Sequence, residues 1–234
     1  MTMNRIEKLI RDNKYLLLLL YLPVYLAAFF IIDNLDVQHS IIRCSIDNLI
    51  PFNEYFVIPY AFWFIWFPGV TVLFMWHALK PCILENPSDE ERKEADKARA
   101  DFVKLCIVMF TSMTASLIIY VIFPNGVELR EPIEHKNICA SAVELIRAAD
   151  TPYGVCPSIH VATIAAELLV IRDSKMKLLS KKYKLISYII TALIAYSTMA
   201  IKQHSIIDVV SGALLAGFIY VLYIFMERRE ICHP

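Results

Sequence analysis

Two histidine-containing segments of this sequence have the residue types and spacing that nucleophilic catalysis requires. His160 ends the segment CPSIH (156–160), and His204 lies in KQHSIID (202–208), which also contains Asp208. Residues four apart lie on one face of a helix, so the carboxylate of Asp208 can orient and charge-stabilise the imidazole of His204. A histidine nucleophile needs such a partner. Because each segment borders an apolar run, we expect the two histidines to come from separate helices and to meet in one site.

The composition predicts a membrane environment for those helices. Of 234 residues, 58% are hydrophobic and only five are glycine, and the mean hydropathy is +0.53. These values are too apolar for an ordinary soluble domain of this size. The formal net charge is zero, and the sequence has no basic patch interleaved with aromatic residues. Nucleic acid is therefore not an expected partner.

Six apolar runs could form the helices, at 15–32, 55–76, 102–123, 158–171, 185–201 and 206–226. Four are long enough to cross about 30 Å of hydrocarbon, and the fifth run, at about 17 residues, is at the lower limit. The fourth run, at about 14 residues, could equally be a buried or re-entrant helix. Without it as a span, the two histidines would lie on opposite sides of the membrane. The sequence therefore predicts an all-α fold, a six-transmembrane-helix bundle that forms one domain over residues 1–234.

Basic residues are unevenly distributed between the runs. Residues 1–14, 77–101 and 172–184 are rich in Lys and Arg, whereas the other connecting segments contain only Arg43, Arg130, Lys136, Arg147 and Lys202. By the positive-inside rule, both termini are cytoplasmic, and His160, His204, Arg130 and Lys202 face the exterior. The first run could instead be a secretory signal peptide, but the absence of a small-residue cleavage site favours a retained helix.

The two histidine segments resemble signatures of the type 2 phosphatidic acid phosphatase (PAP2) superfamily. PSIH is similar to the second signature. STMAIKQHSIID, with Ser197 seven residues before His204 and Asp208 four residues after it, is similar to the third. The six-helix layout and the external position of both segments extend the resemblance over most of the chain. The motif style is similar to the branch that includes inositol phosphorylceramide synthases and bacterial lipid phosphatases.

The sequence departs from the superfamily pattern at three places. The first signature, KxxxxxxRP, has its nearest counterpart in FPNGVELREP (123–132), where Arg130 takes the arginine position but Phe123 replaces the lysine and Glu131 precedes the proline. Thr198 stands where the third signature has arginine, and Ile159 stands where the second has glycine. At least one phosphate-binding cation is therefore missing or is supplied from elsewhere.

The resemblance implies a metal-free and cofactor-free phosphoryl transfer. His204 would attack phosphorus to form a phosphohistidine, Asp208 would hold its tautomer, and His160 would act as general acid and then as base. Phosphate contacts would come from Arg130, Ser158, Lys202 and Ser197. Lys202 has two interpretations: it extends towards lipid headgroups, or it replaces the cation lost at Thr198. Ser197 could equally serve helix packing.

The expected function is a membrane lipid phosphatase that hydrolyses a lipid phosphate monoester or pyrophosphate at the outer face. The alternatives are a phosphotransferase that moves a phosphoryl head group to an alcohol acceptor, and a non-catalytic lipid-binding membrane protein. The expected partners are a lipid phosphate and membrane lipids, and the oligomeric state is left open. The expected location is the bacterial cytoplasmic membrane, with the active site facing outward.

Three further features bear on the architecture. Glu167 lies seven residues after His160, about 10 Å deeper on nearly the same face. An acid at that depth is costly unless it is paired or hydrated, so Glu167 could shape the floor of the site or bond to a hydroxyl in the third run, such as that of Ser112 or Thr114. The loop 124–157 is long enough to cap the site, and residues 140–149 could form an amphipathic helix on the external surface. The aromatic run EYFVIPYAFWFIWF (54–67) fits an interface belt and core packing.

Overall fold

The computed structural model describes residues 12–84, 86–134 and 136–232. The basic residues before position 12, used above to predict the orientation, lie outside this part of the chain. The described residues form seven α-helices: α1 (Tyr21–Asp33), α2 (Val57–Ile83), α3 (Asp89–Ile122), α4 (Ile138–Ala149), α5 (Ile159–Asp173), α6 (Lys181–Ala200) and α7 (Ile206–Cys232). Short 3-10 helices (Lys14–Leu20 and Glu54–Phe56) precede α1 and α2, and a third (Ser45–Leu49) lies between those two helices. The all-α prediction is confirmed.

Five helical segments of the described chain are long and apolar enough to cross a membrane: Lys14–Asp33, Glu54–Ile83, Asp89–Ile122, Lys181–Ala200 and Ile206–Arg229. They correspond to five of the six predicted runs. The remaining run, 158–171, forms α5, which has 15 residues. At about 1.5 Å per residue, α5 is roughly 22 Å long, shorter than the hydrocarbon layer of about 30 Å. The structure is therefore consistent with an integral membrane protein, but the sixth predicted span is not confirmed.

The burial of α5 is compatible with its length. It packs against α3, α6 and α7, and Ala162, Ile164 and Ala166 are completely buried. A helix that is mostly enclosed by other helices need not match the thickness of the lipid layer, because protein and not lipid surrounds most of its length. By contrast, only 6% of the apolar window that includes α1 is buried. His160, which ends the CPSIH segment, therefore lies on a helix that is mostly buried among other helices.

The loops next to α5 also pack on one another. Strand β1 (Ser40–Ile41) pairs in parallel with β2 (Asn125–Gly126). The buried side chain of Asn125 accepts hydrogen bonds from the backbone nitrogens of Val155 (3.0 Å) and Cys156 (2.8 Å) and donates to the carbonyl oxygen of Cys156 (3.0 Å). These bonds fix the chain just before α5. Helix α4 confirms the helix predicted over 140–149 and begins two residues earlier.

Candidate active site

The structure brings the two predicted histidines into contact. His160 lies in the first turn of α5, and His204 lies in the turn between α6 and α7. Nδ1 of His160 is 3.3 Å from Nε2 of His204, and the ring centroids are 5.4 Å apart. The side chain of His204 is 6% exposed. One small, largely enclosed site therefore contains both imidazoles.

Asp208 lies behind His204, as its spacing predicted. Its Oδ2 atom is 3.4 Å from Nδ1 of His204 and accepts a 2.8 Å hydrogen bond from the backbone nitrogen of Ser205. Asp208 occupies the first turn of α7, where the positive end of the helix dipole stabilises a carboxylate. The side chain is completely buried, and Oδ1 has no hydrogen-bond partner among the described residues. This geometry suits a carboxylate that orients an imidazole.

Helices α5 and α7 touch through their backbones next to this pair. The backbone nitrogen of Ser158 donates to the carbonyl oxygen of Asp208 at 3.0 Å. One turn further along α7, a Cβ atom added at Gly212 would lie 2.5 Å from the carbonyl oxygen of Ser158. The absence of a side chain at Gly212 therefore allows the two histidine-bearing elements to meet. The sequence analysis missed Gly212, although its position four residues after Asp208 was a usable signal.

Two aromatic residues of α2 hold His160 from the other side. The hydroxyl of Tyr60 is 3.1 Å from Nε2 of His160. The ring centroid of Trp63 is 4.6 Å from that of His160, and its Nε1 donates to Oγ1 of Thr163 at 3.0 Å. The sequence analysis assigned both residues to belts and packing. An aromatic run at helical spacing carries no sign of which member faces a histidine 100 positions away.

The loop between α1 and α2 clamps the chain that carries His204. The carboxylate of Asp47 accepts hydrogen bonds from the hydroxyl of Ser205 (2.8 Å) and from the backbone nitrogens of Ile206 (2.9 Å) and Cys44 (2.8 Å). Burial, the largest influence, opposes ionisation of Asp47, but these bonds outweigh it and lower its pKa below the usual range. Asp47 therefore serves as the N-terminal cap of α7, although it is distant in sequence.

Lys202 belongs to the same clamp. Its ammonium group donates to the carbonyl oxygen of Asp47 at 3.0 Å and to that of Ile50. Its backbone has φ of +62°, a left-handed conformation that needs support from surrounding structure. Lys202 was predicted as a phosphate contact, and the structure directs its charge to loop carbonyls and not to the histidine pair. The observed bonds give it an anchoring role.

Arg130 lies close to the site through Gln203, the residue before His204. Its guanidinium donates to Oε1 of Gln203 (2.5 Å) and to the carbonyl oxygens of Arg147 (3.3 Å), Asp150 (2.9 Å) and Thr151 (3.2 Å). Burial lowers the pKa of Arg130. Arg130 therefore holds the end of α4 against the turn that carries His204.

A second guanidinium, which the sequence analysis did not select, lies beside Arg130. Arg147 of α4 donates to the carbonyl oxygens of Glu131 (2.7 Å) and Ile201 (3.4 Å). Burial, followed by the neighbouring charge of Arg130, lowers the pKa of Arg147. In the described part of the chain, the Nε atoms of both arginines and Nε2 of Gln203 are buried without a hydrogen-bond partner. Three buried nitrogens without an acceptor thus lie close to Gln203, the residue before His204.

The hydroxyl groups of the two predicted serines bond to nearby backbone atoms. Ser158 caps α5, its hydroxyl accepting from the backbone nitrogen of Val161 at 3.4 Å. Ser197 donates to the carbonyl oxygen of Ile194 within α6 at 2.6 Å. Both side chains are completely buried. Ser158 lies two residues from His160, whereas the hydroxyl of Ser197 bonds to the backbone of its own helix.

A carboxyl group that was not predicted also belongs to this region. Burial raises the pKa of Asp150, while the nearby charges of His204 and Arg130 act in the opposite direction.

Arg130 and Lys202 also line an open surface cleft of about 650 Å³ together with acidic residues. The other polar and charged residues that line it are Arg43, Asn48, Glu128, Glu131 and Glu134.

Among the described residues, no three His, Cys, Asp or Glu side chains are grouped so that they could hold a metal ion. The groups available for chemistry are the His160–His204–Asp208 chain and the adjacent cations. In comparisons with protein-family models, curated proteins and solved structures, nothing matches this chain.

Proposed function

We propose that this chain is a membrane lipid phosphatase related to the type 2 phosphatidic acid phosphatases, which hydrolyses a lipid phosphate monoester or pyrophosphate through a phosphohistidine at His204. The observation that carries the proposal is the contact between Nδ1 of His160 and Nε2 of His204, with Asp208 behind His204. A nucleophile, its orienting carboxylate and an acid–base group on one line are the parts that a two-step displacement needs.

A phosphate group would replace the direct contact between the imidazoles. Phosphorus would then face Nε2 of His204, and the leaving alcohol oxygen would face Nδ1 of His160. In the first step, the N–P bond forms as the P–O bond to the alcohol breaks, and His160, in its protonated form, gives a proton to the departing oxygen. In the second step, a water oxygen bonds to phosphorus as the N–P bond to Nε2 of His204 breaks, and His160 takes the proton that the water loses, so that phosphate is released.

The three buried nitrogens without an acceptor support an anionic substrate. A buried donor without an acceptor costs about 1–3 kcal/mol, and three such nitrogens, on Arg130, Arg147 and Gln203, lie close to the turn that carries His204. Phosphate oxygens would accept from such donors, and their negative charge would offset the repulsion between the two guanidinium groups. Arg147 thereby provides a candidate for the cation that is missing at Phe123 and Thr198.

In the proposed topology, α5 crosses the membrane inside the bundle together with the five longer helices. Both termini are then cytoplasmic, and the histidine pair opens to the outer face of a bacterial cytoplasmic membrane. Helix α4 and the loop between α1 and α2, which contains Asp47, then lie on the outer surface, where a lipid headgroup would enter.

The test is phosphate release by purified protein in detergent across a panel of lipid phosphates. We expect release without an added alcohol, and a loss of at least roughly 10²-fold in rate for His204→Ala and His160→Ala. His77→Ala, at the far end of α2, is the control and should retain activity. An acid-labile phosphoryl adduct trapped during turnover should map to His204.

Other outcomes would redirect the assignment. Release that begins only when an alcohol acceptor is added, with the head group found on that alcohol, would indicate a phosphotransferase. Identical behaviour of the wild type and His204→Ala in every assay would indicate a lipid-binding protein without this chemistry. An adduct on any other residue would overturn the role of His204.

A further inference from the structure

We propose that Tyr60 is a positioning residue that sets the tautomer of His160, and through it keeps Nε2 of His204 free of a proton. The inference deepens the proposed function, because that nitrogen is the proposed nucleophile. It is carried by a continuous line of contacts from α2 to α7. The hydroxyl of Tyr60 lies 3.1 Å from Nε2 of His160, followed by the 3.3 Å contact between the imidazoles and the 3.4 Å contact with Asp208.

Asp208 at one end of this line and the hydroxyl of Tyr60 at the other favour the same arrangement of protons. An ionised carboxylate only accepts hydrogen bonds, so Nδ1 of His204 carries a proton. Nε2 of a neutral His204 is then an acceptor, and Nδ1 of His160, which faces it, must be the donor. A neutral His160 consequently presents Nε2 as an acceptor, and the hydroxyl of Tyr60 is the donor that meets it. With both rings neutral, a single assignment of donors and acceptors satisfies all three contacts.

The surroundings of Tyr60 hold its hydroxyl in place. The side chain is 1% exposed, and it packs with Val57, Val143 and Ile201 in a cluster at the end of α2. One turn along α2, Trp63 bonds to Thr163 of α5. Helix α2 therefore contacts α5 at two successive levels, through Tyr60 and through Trp63. Tertiary packing therefore fixes the position of the donor hydroxyl.

Tyrosine suits this position because its hydroxyl both donates and accepts. It donates to neutral His160 in the resting site. When His160 carries a second proton as general acid, the same hydroxyl can rotate and accept from Nε2. Phenylalanine would preserve the ring contacts with His160 and remove both functions.

The test compares Tyr60→Phe with Tyr25→Phe in the full-length protein. Tyr25 of α1 is the matched control, because it is also buried and its hydroxyl has no hydrogen-bond partner among the described residues. Protein labelled with ¹⁵N-histidine is studied by NMR, and the His160 signals are assigned by their loss in His160→Asn. The wild type and Tyr25→Phe should show His160 with its proton on Nδ1.

In Tyr60→Phe, the His160 spectrum should change to a mixture of tautomers. The kcat for the lipid phosphate should fall by roughly 10- to 100-fold with little change in KM, since the ring remains in place but its protonation is no longer fixed. A wild-type His160 protonated on Nε2, or an unchanged spectrum in Tyr60→Phe, would overturn the proposal. If Tyr60→Phe fails to fold, the ¹⁵N shift of Nε2 of His160 in the wild type decides: the shift of a hydrogen-bonded acceptor supports the role of Tyr60, and the shift of an acceptor without a donor overturns it. If the wild type releases no phosphate, the proposed function is refuted. The NMR spectra then decide separately whether Tyr60 influences the tautomer of His160.

Discussion

Replacement of Gly212 by alanine is the sharpest test of how the two histidines are brought together. The new Cβ atom would lie 2.5 Å from the carbonyl oxygen of Ser158 and 3.3 Å from the backbone nitrogen of Ala162, whereas ordinary contact begins at 3.4 Å. Both neighbours are backbone atoms, so no side chain can rotate away. Helices α5 and α7 must therefore separate by about 0.9 Å at this point.

The separation acts directly on the candidate site. Ser158 lies two residues before His160, and its backbone is bonded to Asp208. An imidazole contact of 3.3 Å that lengthens by most of this shift reaches about 4 Å, beyond hydrogen-bonding distance. Overpacking of this kind costs about 1–3 kcal/mol, and a misplacement near 1 Å can cost about 10²-fold in rate. We expect Gly212→Ala to lose activity on that scale and to unfold about 2–10 °C lower.

Gly217→Ala provides the matched control on the same helix. A Cβ atom at Gly217 meets nothing within 4 Å, and alanine is favoured over glycine inside a helix by about 0.5–1 kcal/mol. This variant should be as stable as the wild type or slightly more so, with unchanged turnover. The assays are phosphate release and thermal unfolding in detergent. If Gly212→Ala matches Gly217→Ala in both assays, the close approach of α5 and α7 does not support the site as argued.

Three further substitutions test separate parts of the structure. Asp47→Asn should lower the thermal midpoint at pH 6. Because the folded-state pKa of Asp47 lies below the ordinary 3.8, its contribution is complete above that value and is lost as the pH falls through the folded-state pKa. The difference from the wild type should therefore narrow below about pH 4, and a constant difference would contradict the capping role. Lys202→Met should also lower the midpoint, since the carbonyls of Asp47 and Ile50 lose their donor. A normal midpoint with reduced turnover would instead indicate that Lys202 binds the phosphate of the substrate. Glu167→Met should raise the midpoint, because neither carboxylate oxygen of this fully buried side chain has a hydrogen-bond partner among the described residues. A lower midpoint would show that Glu167 binds something that stabilises the fold.

The fate of Glu167 shows one limit of reasoning from helical spacing. Its depth below His160 predicted a partner on α3, such as Ser112 or Thr114. In the structure, Ser112 bonds to the carbonyl oxygen of Val108 at 2.7 Å, and Thr114 bonds to Tyr21 at 2.8 Å. Both partner assignments are wrong. Helical periodicity fixed the face of Glu167 but not the rotation of α3 relative to it.

The sequence by itself determined the apolar helices and the local half of the candidate site. Apolar runs predict helices because a bilayer leaves backbone groups no other partners, and the pairing of His204 with Asp208 follows from 3.6 residues per turn. Each of these is a property of residues close together in the chain.

Only the tertiary structure decided what surrounds the two histidines. Tyr60 reaches His160 across 100 positions, Asp47 reaches Ser205 across 158, and Gly212 matters because another backbone lies against it. The carbonyl oxygens of Asp47 and Ile50 that accept from Lys202 also lie about 150 positions away in the chain. Local sequence patterns record which face of a helix is apolar, whereas the neighbour on that face depends on how all the helices pack together.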